Sequence, residues 1–420
     1  MRVLVIGNGA REHTIAWKLS QSSQRPDLFC APGNAGTSQV AQNVALAATD
    51  VDGLLQWARA QRVDLTVVGP EAPLVAGLVD RFQEAGLVVF GPSRAAAAIE
   101  GSKIWAKQLM QRYGIPTARA EVFERAAEAR EYVMSQQLPI VVKADGLAAG
   151  KGVVVASSLE EALAAVDSMM EKKVFGAAGA KLMVEECMVG REVSLLAFTD
   201  GQTVVPMVPA CDYKRVGDAD VGANTGGMGA YSPPSFFPPA LQERVVKAVL
   251  EPAVRGMAAE GCPYTGVLYA GLMLTADGPK VLEFNARLGD PETQVMLPRL
   301  KSDLLEVMLS TVRGELSPEQ VTWDDEACCG IVLASGGYPG PYQTGFPISG
   351  LETLPPGVEV FHAGTAYQDG RTLTAGGRVL TVTARARDVG EARERAYAGV
   401  ARISFEGLHF RRDIALREVA

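Results

Sequence analysis

Apolar positions along the chain come in two forms, short unbroken runs and helical spacings, and their alternation divides the sequence into three stretches. Arg2–Ile6 is a compact apolar run that meets Gly7-Asn8-Gly9-Ala10-Arg11-Glu12 and then a helical pattern through Leu19. Asp64–Val68 and Leu87–Phe90 repeat the arrangement before Gly69-Pro70-Glu71 and Gly91-Pro92, with helical patterns at Val51–Gln61 and Leu74–Ala85. Such alternation predicts a doubly wound parallel α/β domain over residues 1–101, with ligands gathered at the strand carboxyl ends, where Gly9, Arg11, Glu12, Pro70 and Glu71 lie.

The pattern then changes. A helix is expected over Glu100–Gln111, with Gly101-Ser102-Lys103 at its start, before the break at Gly114-Ile115-Pro116. A short strand around Ala120–Phe123, helices over Ala126–Gln137 and Leu159–Met170, the β-branched runs Ile140–Val142 and Val153–Val155, and the run Lys181–Glu186 predict a small α+β lid over about 118–190. Residues 203–232 read as one long glycine-rich loop. Glu243–Glu260 is amphipathic despite Pro252, and Val267–Leu274 with Lys280–Phe284 forms a hairpin turning at Asp277-Gly278. From residue 325 to 420 the chain offers strands at Cys329–Ala334, Val358–Gly364 and Arg378–Ala384, a glycine loop at Gly336–Gly340 and a helix over Val389–Ile403. This last unit shows no catalytic constellation and is expected to pack against one side of a site.

The chemistry concentrates in a few strings. PIVVKADGLAAGKGVVV (139–155) is strand, glycine loop, strand. Gly146, Gly150 and Gly152 let backbone N–H groups approach a polyphosphate, and Lys143 and Lys151 supply charge. A P-loop is excluded: Gly146 to Gly150 is one residue short, Gly152 follows the lysine, and a strand follows the loop. The G-x-G after the first strand lacks the third glycine of a dinucleotide fingerprint, since Glu12 stands there; it points to a phosphate or phosphosugar at the helix N-terminus instead. Spacing leaves Lys103 open, as a ligand-facing or a solvated lysine.

Glu185 and Glu186 close a strand opposite the lysine loop, as in an adenine–ribose hinge with backbone at Glu185–Cys187 for the base and Glu192 for ribose hydroxyls. Asp212-Tyr213-Lys214-Arg215 offers both signs of charge to a zwitterionic or phosphorylated substrate, ahead of Asn224-Thr225-Gly226-Gly227. Strand alternation puts Glu283 and Asn285 on one face, where two oxygens can grip Mg²⁺ together with substrate phosphates. Arg287 continues that face and could stabilise a transferring phosphoryl group.

Composition narrows the classes. A net charge of −8 and a pI near 5.2 argue against a nucleic-acid partner. No apolar run is long enough for a transmembrane helix. The start MRVLVIGNGAREH turns to glycine and charge too soon for a secretory segment. Six cysteines without C-x-x-C spacing fit reduced thiols and a cytoplasmic location. Three distant histidines and the lack of G-x-S-x-G leave no His-based metal site or triad.

KADGLAAGKGVVV, NTGGMGAYSP, EFNARLGDPETQ and VLVIGNGAREH…APGNAGT…VGPEAPLV together resemble the phosphoribosylamine–glycine ligase (glycinamide ribonucleotide synthetase) family of the ATP-grasp superfamily, in motif order and over essentially the whole chain. The resemblance implies an ATP-grasp domain over 102–320 between the N-terminal domain and a C-terminal domain at 325–420. It implies ATP and Mg²⁺, with Mn²⁺ as an alternative, and glycine and 5-phosphoribosylamine as substrates in purine synthesis. By motif, Glu283 and Asn285 correspond to metal ligands. Lys103, Lys143 and Lys151, with Gly146, Gly150 and Gly152, correspond to phosphate contacts, and Glu185, Glu186, Cys187 and Glu192 to adenosine contacts. Gly9, Arg11 and Glu71, with the 212–214 and 287–291 segments (Gly289, Asp290 and Pro291 among them), correspond to the phosphoribosyl site, Asn224 to a substrate contact, and Arg287, Asp212 and Lys214 to catalytic positions. The expected assembly is a monomer or a weak homo-oligomer. Three positions depart from the family pattern: Tyr213 where His is frequent, Ala223 where Pro is, and Leu288 where Phe is.

Overall fold

The structure, a computed structural model, describes residues 1–146 and 152–419; Gly150 and Lys151 of the predicted phosphate loop lie outside them. The first sheet has five parallel strands in the order Gln42–Asn43, Asp27–Pro32, Arg2–Gly7, Leu65–Val68, Val89–Phe90. Its central strand is the first apolar run of the chain, with Val3, Leu4, Val5 and Ile6 fully buried between the flanking helices. The strand order reverses between Arg2–Gly7 and Leu65–Val68, so Gly7-Asn8-Gly9 and Gly69-Pro70-Glu71 open into one crevice. Glu12 stands where the third glycine of a dinucleotide fingerprint would be. Its carboxylate folds back beneath the loop, taking the Gly9 N–H at 2.6 Å. A Cβ at Gly7 would stand 2.5 Å from the Glu12 side chain, and Gly7 has φ +127°. The glycines make room for this carboxylate rather than for a pyrophosphate.

Two predicted helices are broken. Leu74–Ala85 is two helices, Glu71–Val75 and Leu78–Glu84, separated at Gly77 in the left-handed region. Glu100–Gln111 spans the end of Arg94–Gly101 and all but the last residue of Lys103–Arg112. Ser102 between them is extended, and its hydroxyl caps the second helix by accepting the Trp105 N–H at 3.1 Å. Gly101-Ser102-Lys103 is therefore a junction, and Lys103 opens a new helix. The strand Asp27–Pro32 has no counterpart in the sequence reading.

The lid is an antiparallel sheet in the order Ala120–Phe123, Leu182–Glu186, Ile140–Ala144, Val153–Ala156. Helices Ala126–Ser135 and Leu159–Val166 cover it with a core of its own around Val133, Val142, Ala162 and Val184. A second antiparallel sheet runs Val204–Pro206, Arg191–Thr199, Gly266–Thr275, Gly278–Asn285. Pro252 is accommodated by a π-helical turn at Val246–Leu250 just before it, which relieves the clash of its ring with a carbonyl one turn back.

The predicted loop 203–232 is instead a set of strands of two to four residues, too short for a period-two pattern to register. Arg215–Gly217 pairs with Val221–Asn224. Cys211–Asp212 and Gly229–Ser232 join the last sheet, ordered Cys211–Asp212, Gly229–Ser232, Ala327–Ala334, Arg378–Ala386, Val358–His362. Helix Val389–Val400 packs on that sheet. Mixed α/β and α+β architecture is thus the fold class. Among the described residues no helix is long and apolar enough to cross a membrane, and the six cysteines are free.

Candidate active site

A cleft of about 630 Å³ lies where these units meet, a volume in the range of small-molecule sites. It brings together thirteen of the residues singled out in the sequence: Arg11, Glu71, Lys103, Lys143, Gly152, Glu185, Asp212, Lys214, Asn224, Glu283, Asn285, Arg287 and Asp290. Gly9, Gly146, Glu186, Cys187, Glu192, Gly289 and Pro291 stand outside its lining.

One end is lined by lysines. Lys103 donates to the Gly146 carbonyl at 2.7 Å, and burial lowers its pKa. Lys143 lies 2.6 Å from one oxygen of Glu185, and Lys107 lies 2.8 Å from the other. Lys107 also donates to the Thr117 hydroxyl and the Ala118 carbonyl; burial lowers its pKa, and Glu185 opposes the shift. The sequence reading missed Lys107, although it sits four residues after Lys103 and so on the same helix face. Alternation along Leu182–Glu186 turns the Glu186 carboxylate away from the cleft, to Arg119 at 2.9 Å.

The middle of the cleft is the row at the end of strand Gly278–Asn285. A bulge at Leu282, where Gly271 pairs Glu283 and Leu272 pairs Val281, sets the register of the strand end. Arg287 is held by two acids, Glu100 at 3.0 Å and Glu71 at 3.3 Å, and reaches the Asn285 side-chain oxygen at 3.3 Å. Burial opposes the Arg287 charge, but Glu100 and Glu71 more than offset it and raise the pKa. Burial works against the Glu71 charge too, yet Arg287 and Arg11 hold its pKa below the usual range. Glu100 is pushed up by burial, with Arg287 and the Ala286 N–H opposing. Glu100 carried no signal in the sequence, since only folding brings the end of helix Arg94–Gly101 to this strand. Among the described residues no cluster of three or more His, Cys, Asp or Glu could enclose a metal ion. A hard cation at Glu283 and Asn285 therefore needs further oxygens from a ligand, which fits Mg²⁺ beside phosphates.

The other end mixes charges. Lys214 bridges Glu192 at 2.6 Å and Asp212 at 3.0 Å. Burial pushes Asp212 up to about 6, against Lys214 and helped by Glu292 and Glu192. Arg11 lies 2.5 Å from Glu12 and donates to the Leu288 carbonyl at 3.2 Å, tying the first domain to the 287–291 segment. Arg378 donates to the Gly226 carbonyl at 2.6 Å and pairs with Asp290 at 2.9 Å. The Tyr338 hydroxyl accepts the Gly226 N–H at 3.0 Å. The C-terminal unit does close one side of the cleft, but it also supplies an arginine and a tyrosine that the strand pattern did not reveal.

Tyr213 points the other way from its neighbours, as alternation requires. Its ring packs on Tyr231 and under the Arg411 guanidinium, and its hydroxyl accepts the Ala415 N–H at 2.9 Å. The change from His thus falls in the C-terminal core. Leu288 is buried among Tyr269, Val295 and Met296, while Ala223 lies exposed in strand Val221–Asn224.

Comparison with known proteins agrees along the whole length. Residues 1–100, 101–293 and 328–417 match the models of the phosphoribosylglycinamide synthetase N domain, ATP-grasp (A) domain and C domain. The chain is 53% identical over 420 residues to a phosphoribosylamine–glycine ligase of Halalkalibacterium halodurans, covering 100% of this chain and 98% of that protein. It is 52% identical over 425 residues to the one of Nostoc sp., covering 99% of each. The crystal structure of phosphoribosylamine–glycine ligase from Thermotoga maritima superposes with a TM-score of 0.88 at 35% identity, covering 99% of this chain and 100% of that one. The biotin carboxylase domain of Hydrogenobacter thermophilus 2-oxoglutarate carboxylase, solved with MgADP and bicarbonate, shares the fold with a TM-score of 0.77 at 15% identity, over 97% of this chain and 91% of that one.

Proposed function

The chain belongs to the phosphoribosylglycinamide synthetase family, ATP-grasp ligases of purine biosynthesis, and from that premise we propose that its cleft joins glycine to 5-phosphoribosylamine by way of glycyl phosphate. A carboxylate does not acylate an amine in water, because oxide would have to leave. Transfer of the ATP γ-phosphoryl group to a glycine carboxylate oxygen releases ADP and gives an acyl phosphate. The amine then forms the C–N bond, loses a proton, and phosphate departs from the carbonyl carbon. These steps need positioning and charge stabilisation more than a protein nucleophile.

The observation that carries the reading is the cradle around Arg287. Glu71 and Glu100 fix its guanidinium beside Asn285 and Glu283, facing the same cleft as Lys103 and Lys143. We assign Lys103 and Lys143, together with Gly146, Gly150, Lys151 and Gly152, to the phosphates of ATP. Backbone at Glu185–Cys187 holds the base, and Glu192 the ribose. Arg287 stabilises the transferring phosphoryl group. Glu283 and Asn285 would hold Mg²⁺, or Mn²⁺ in its place; the cation would neutralise charge on the triphosphate. The mixed end takes the phosphosugar: Arg11, Glu71, Asn224 and Asp290 border it, with Gly9, Gly289 and Pro291 shaping the backbone behind. Asp212 and Lys214 stand between the two substrates. The same reading places domain limits at 1–101, 102–320 and 325–420, with a monomer or weak homo-oligomer as the assembly.

The test is ADP release in a coupled assay with glycine, formate, bicarbonate and other small carboxylates, with and without phosphoribosylamine. Sustained ADP formation with glycine and phosphoribosylamine together is expected. Equal turnover with formate or bicarbonate, or glycine turnover indifferent to phosphoribosylamine, would overturn the assignment.

A further inference from the structure

One carboxylate in the cleft has no part in the scheme above. Glu292 precedes helix Thr293–Met296, is 2% exposed, and borders the cleft beside Tyr269. Its Oε1 accepts the Tyr269 hydroxyl at 2.5 Å and the Ser194 hydroxyl at 3.2 Å. Its Oε2 is buried and has no donor among the described residues. Oε2 occupies the space that a Cβ on Gly289 would need, so the chain makes room for a carboxylate it leaves half satisfied. Stranding a buried charged acceptor forfeits its hydration with nothing in return. Such an atom calls for a donor from outside the protein.

The donor it lacks is cationic. The nearby cations among the described residues are already engaged: Arg287 by Glu71 and Glu100, Arg378 by Asp290, Arg11 by Glu12. Lys214 is shared by Glu192 and Asp212. Two carboxylates, Asp212 and Glu192, already share that one lysine, and Glu292 adds a third negative group beside Asp212. Glu292 is close enough to help hold a proton on Asp212. The corner is short of positive charge in the same cleft as Arg287.

A glycine zwitterion carries one charge of each sign. We propose that Glu292, with Asp212 beside it, seats the ammonium group of the amino-acid substrate, and so selects an α-amino acid over other small carboxylates. This rests on the ligase reading of the cleft and adds to it a specificity-determining residue. The attacking amine of the second substrate is the wrong occupant, because a carboxylate corner favours its protonated form, which has no lone pair. For glycine the same preference is useful: a protonated amino group cannot compete for its own acyl phosphate.

The experiment follows ADP release with MgATP and phosphoribosylamine, comparing glycine with glycolate, which replaces the ammonium by a hydroxyl, in wild type and Glu292→Gln. The substitution keeps the shape and removes the charge. We expect kcat/KM for glycine to fall about 10- to 100-fold, the range of a charged hydrogen bond, with glycolate changed less than about threefold and the KM for ATP unmoved. A purely structural role would lower both acids alike. An unchanged glycine-to-glycolate ratio in Glu292→Gln overturns the assignment. If that variant does not fold, Glu292→Asp, which keeps the charge but withdraws it by one methylene, is expected to lower glycine use more than glycolate use, and an unchanged ratio in it overturns the assignment equally. Wild type that uses glycolate within about threefold of glycine rejects the proposal by itself. Wild type with no glycine-dependent ADP release removes the ligase reading instead.

Discussion

The Lys143 ammonium lies 2.6 Å from Glu185 Oε2, while Lys107 holds the other oxygen of the same carboxylate at 2.8 Å. One buried anion between two buried cations leaves a positive charge to spare at the lid side of the cleft. Glu185→Gln strips the compensation from both lysines. Breaking a buried pair costs about 3–5 kcal/mol, so the melting temperature without nucleotide is expected to fall. The phosphates of ATP would restore the missing charge, so MgATP should raise the melting temperature of the variant by more than that of wild type. Thermal denaturation with and without MgATP decides it; equal increments would mean that these lysines do not face phosphate.

The Arg287 guanidinium faces Glu71 with Nε at 3.3 Å and Glu100 with Nη2 at 3.0 Å, two ion pairs at separate nitrogens that a lysine cannot reproduce. Arg287→Lys and Arg287→Ala are both expected to lower kcat by about 10²–10³, the loss seen when one stabilising donor is removed from a developing charge. ATP affinity should stay within about threefold. Rapid-quench ADP formation and equilibrium ATP binding separate the two; normal turnover in either variant would remove Arg287 from the chemistry.

Glu283 is the carboxylate of the proposed metal pair. Glu283→Ala leaves Asn285 alone, already shared with Arg287 at 3.3 Å. The Mg²⁺ concentration for half-maximal rate should rise at least about tenfold, since even outer-shell losses weaken metal binding that much. A Mg²⁺ titration of initial rates at fixed ATP checks it, and a superimposable curve would reject the ligand.

The residues that were legible in the sequence are those whose neighbours in the chain are also their neighbours in space. Glu283, Asn285 and Arg287 share a face because a strand alternates, and Lys143 stands on a hairpin marked by β-branched runs and glycines. Glu100, Glu292 and Arg378 were missed because each meets its partners only after folding, whereas Lys107 was marked only by its place one helical turn after Lys103. Glu100 reaches Arg287 across 187 positions, and Arg378 reaches Asp290 across 88. The fold shows the same division. Short apolar runs marked strands such as Arg2–Gly7, Gly266–Thr275 and Ala327–Ala334, whereas the short strands within 203–232 carried too few side chains to alternate. The helix break at Ser102 depends on one extended residue, and a periodicity window averages over it.

Arg378 binds two segments of the cleft wall to the C-terminal sheet, through Gly226 and Asp290. Burial disfavours the Asp290 charge, yet Arg378 and Arg11 hold its pKa below the usual range. Arg378→Met removes the clamp while keeping the bulk. With charged hydrogen bonds worth about 1.5–3 kcal/mol, the KM for phosphoribosylamine should rise about 10- to 100-fold, with the KM for ATP within about threefold. Steady-state kinetics in each substrate distinguish the cases. An equal rise for ATP would show that the C-terminal unit does not act on the phosphosugar end alone.

His13 and His362 join the first helix to the C-terminal sheet, the His362 N–H donating to His13 Nδ1 at 2.8 Å. Burial pushes His13 down to about 3, with His362 adding to the shift, and pushes His362 down to about 4. Unfolded histidine titrates near 6.5. Between about 4 and 6.5 the unfolded chain therefore binds more protons than the folded one, so unfolding is favoured as pH falls. The stability due to these neutral rings is whole above about 6.5 and is lost downward through that window, at up to about 1.4 kcal/mol per pH unit for each ring. Asp212 acts with the opposite sign, since its raised pKa of about 6 lets the folded state bind a proton first; it offsets part of one histidine. Glu71 and Asp290, with lowered pKa values, lose their contribution only at more acid pH. Melting temperature should thus fall from pH 7 to pH 5. His13→Asn, whose amide oxygen can still accept the His362 N–H but does not titrate, should flatten that fall by about half. An unaltered slope in the variant would show that the buried pair is not what ties stability to pH.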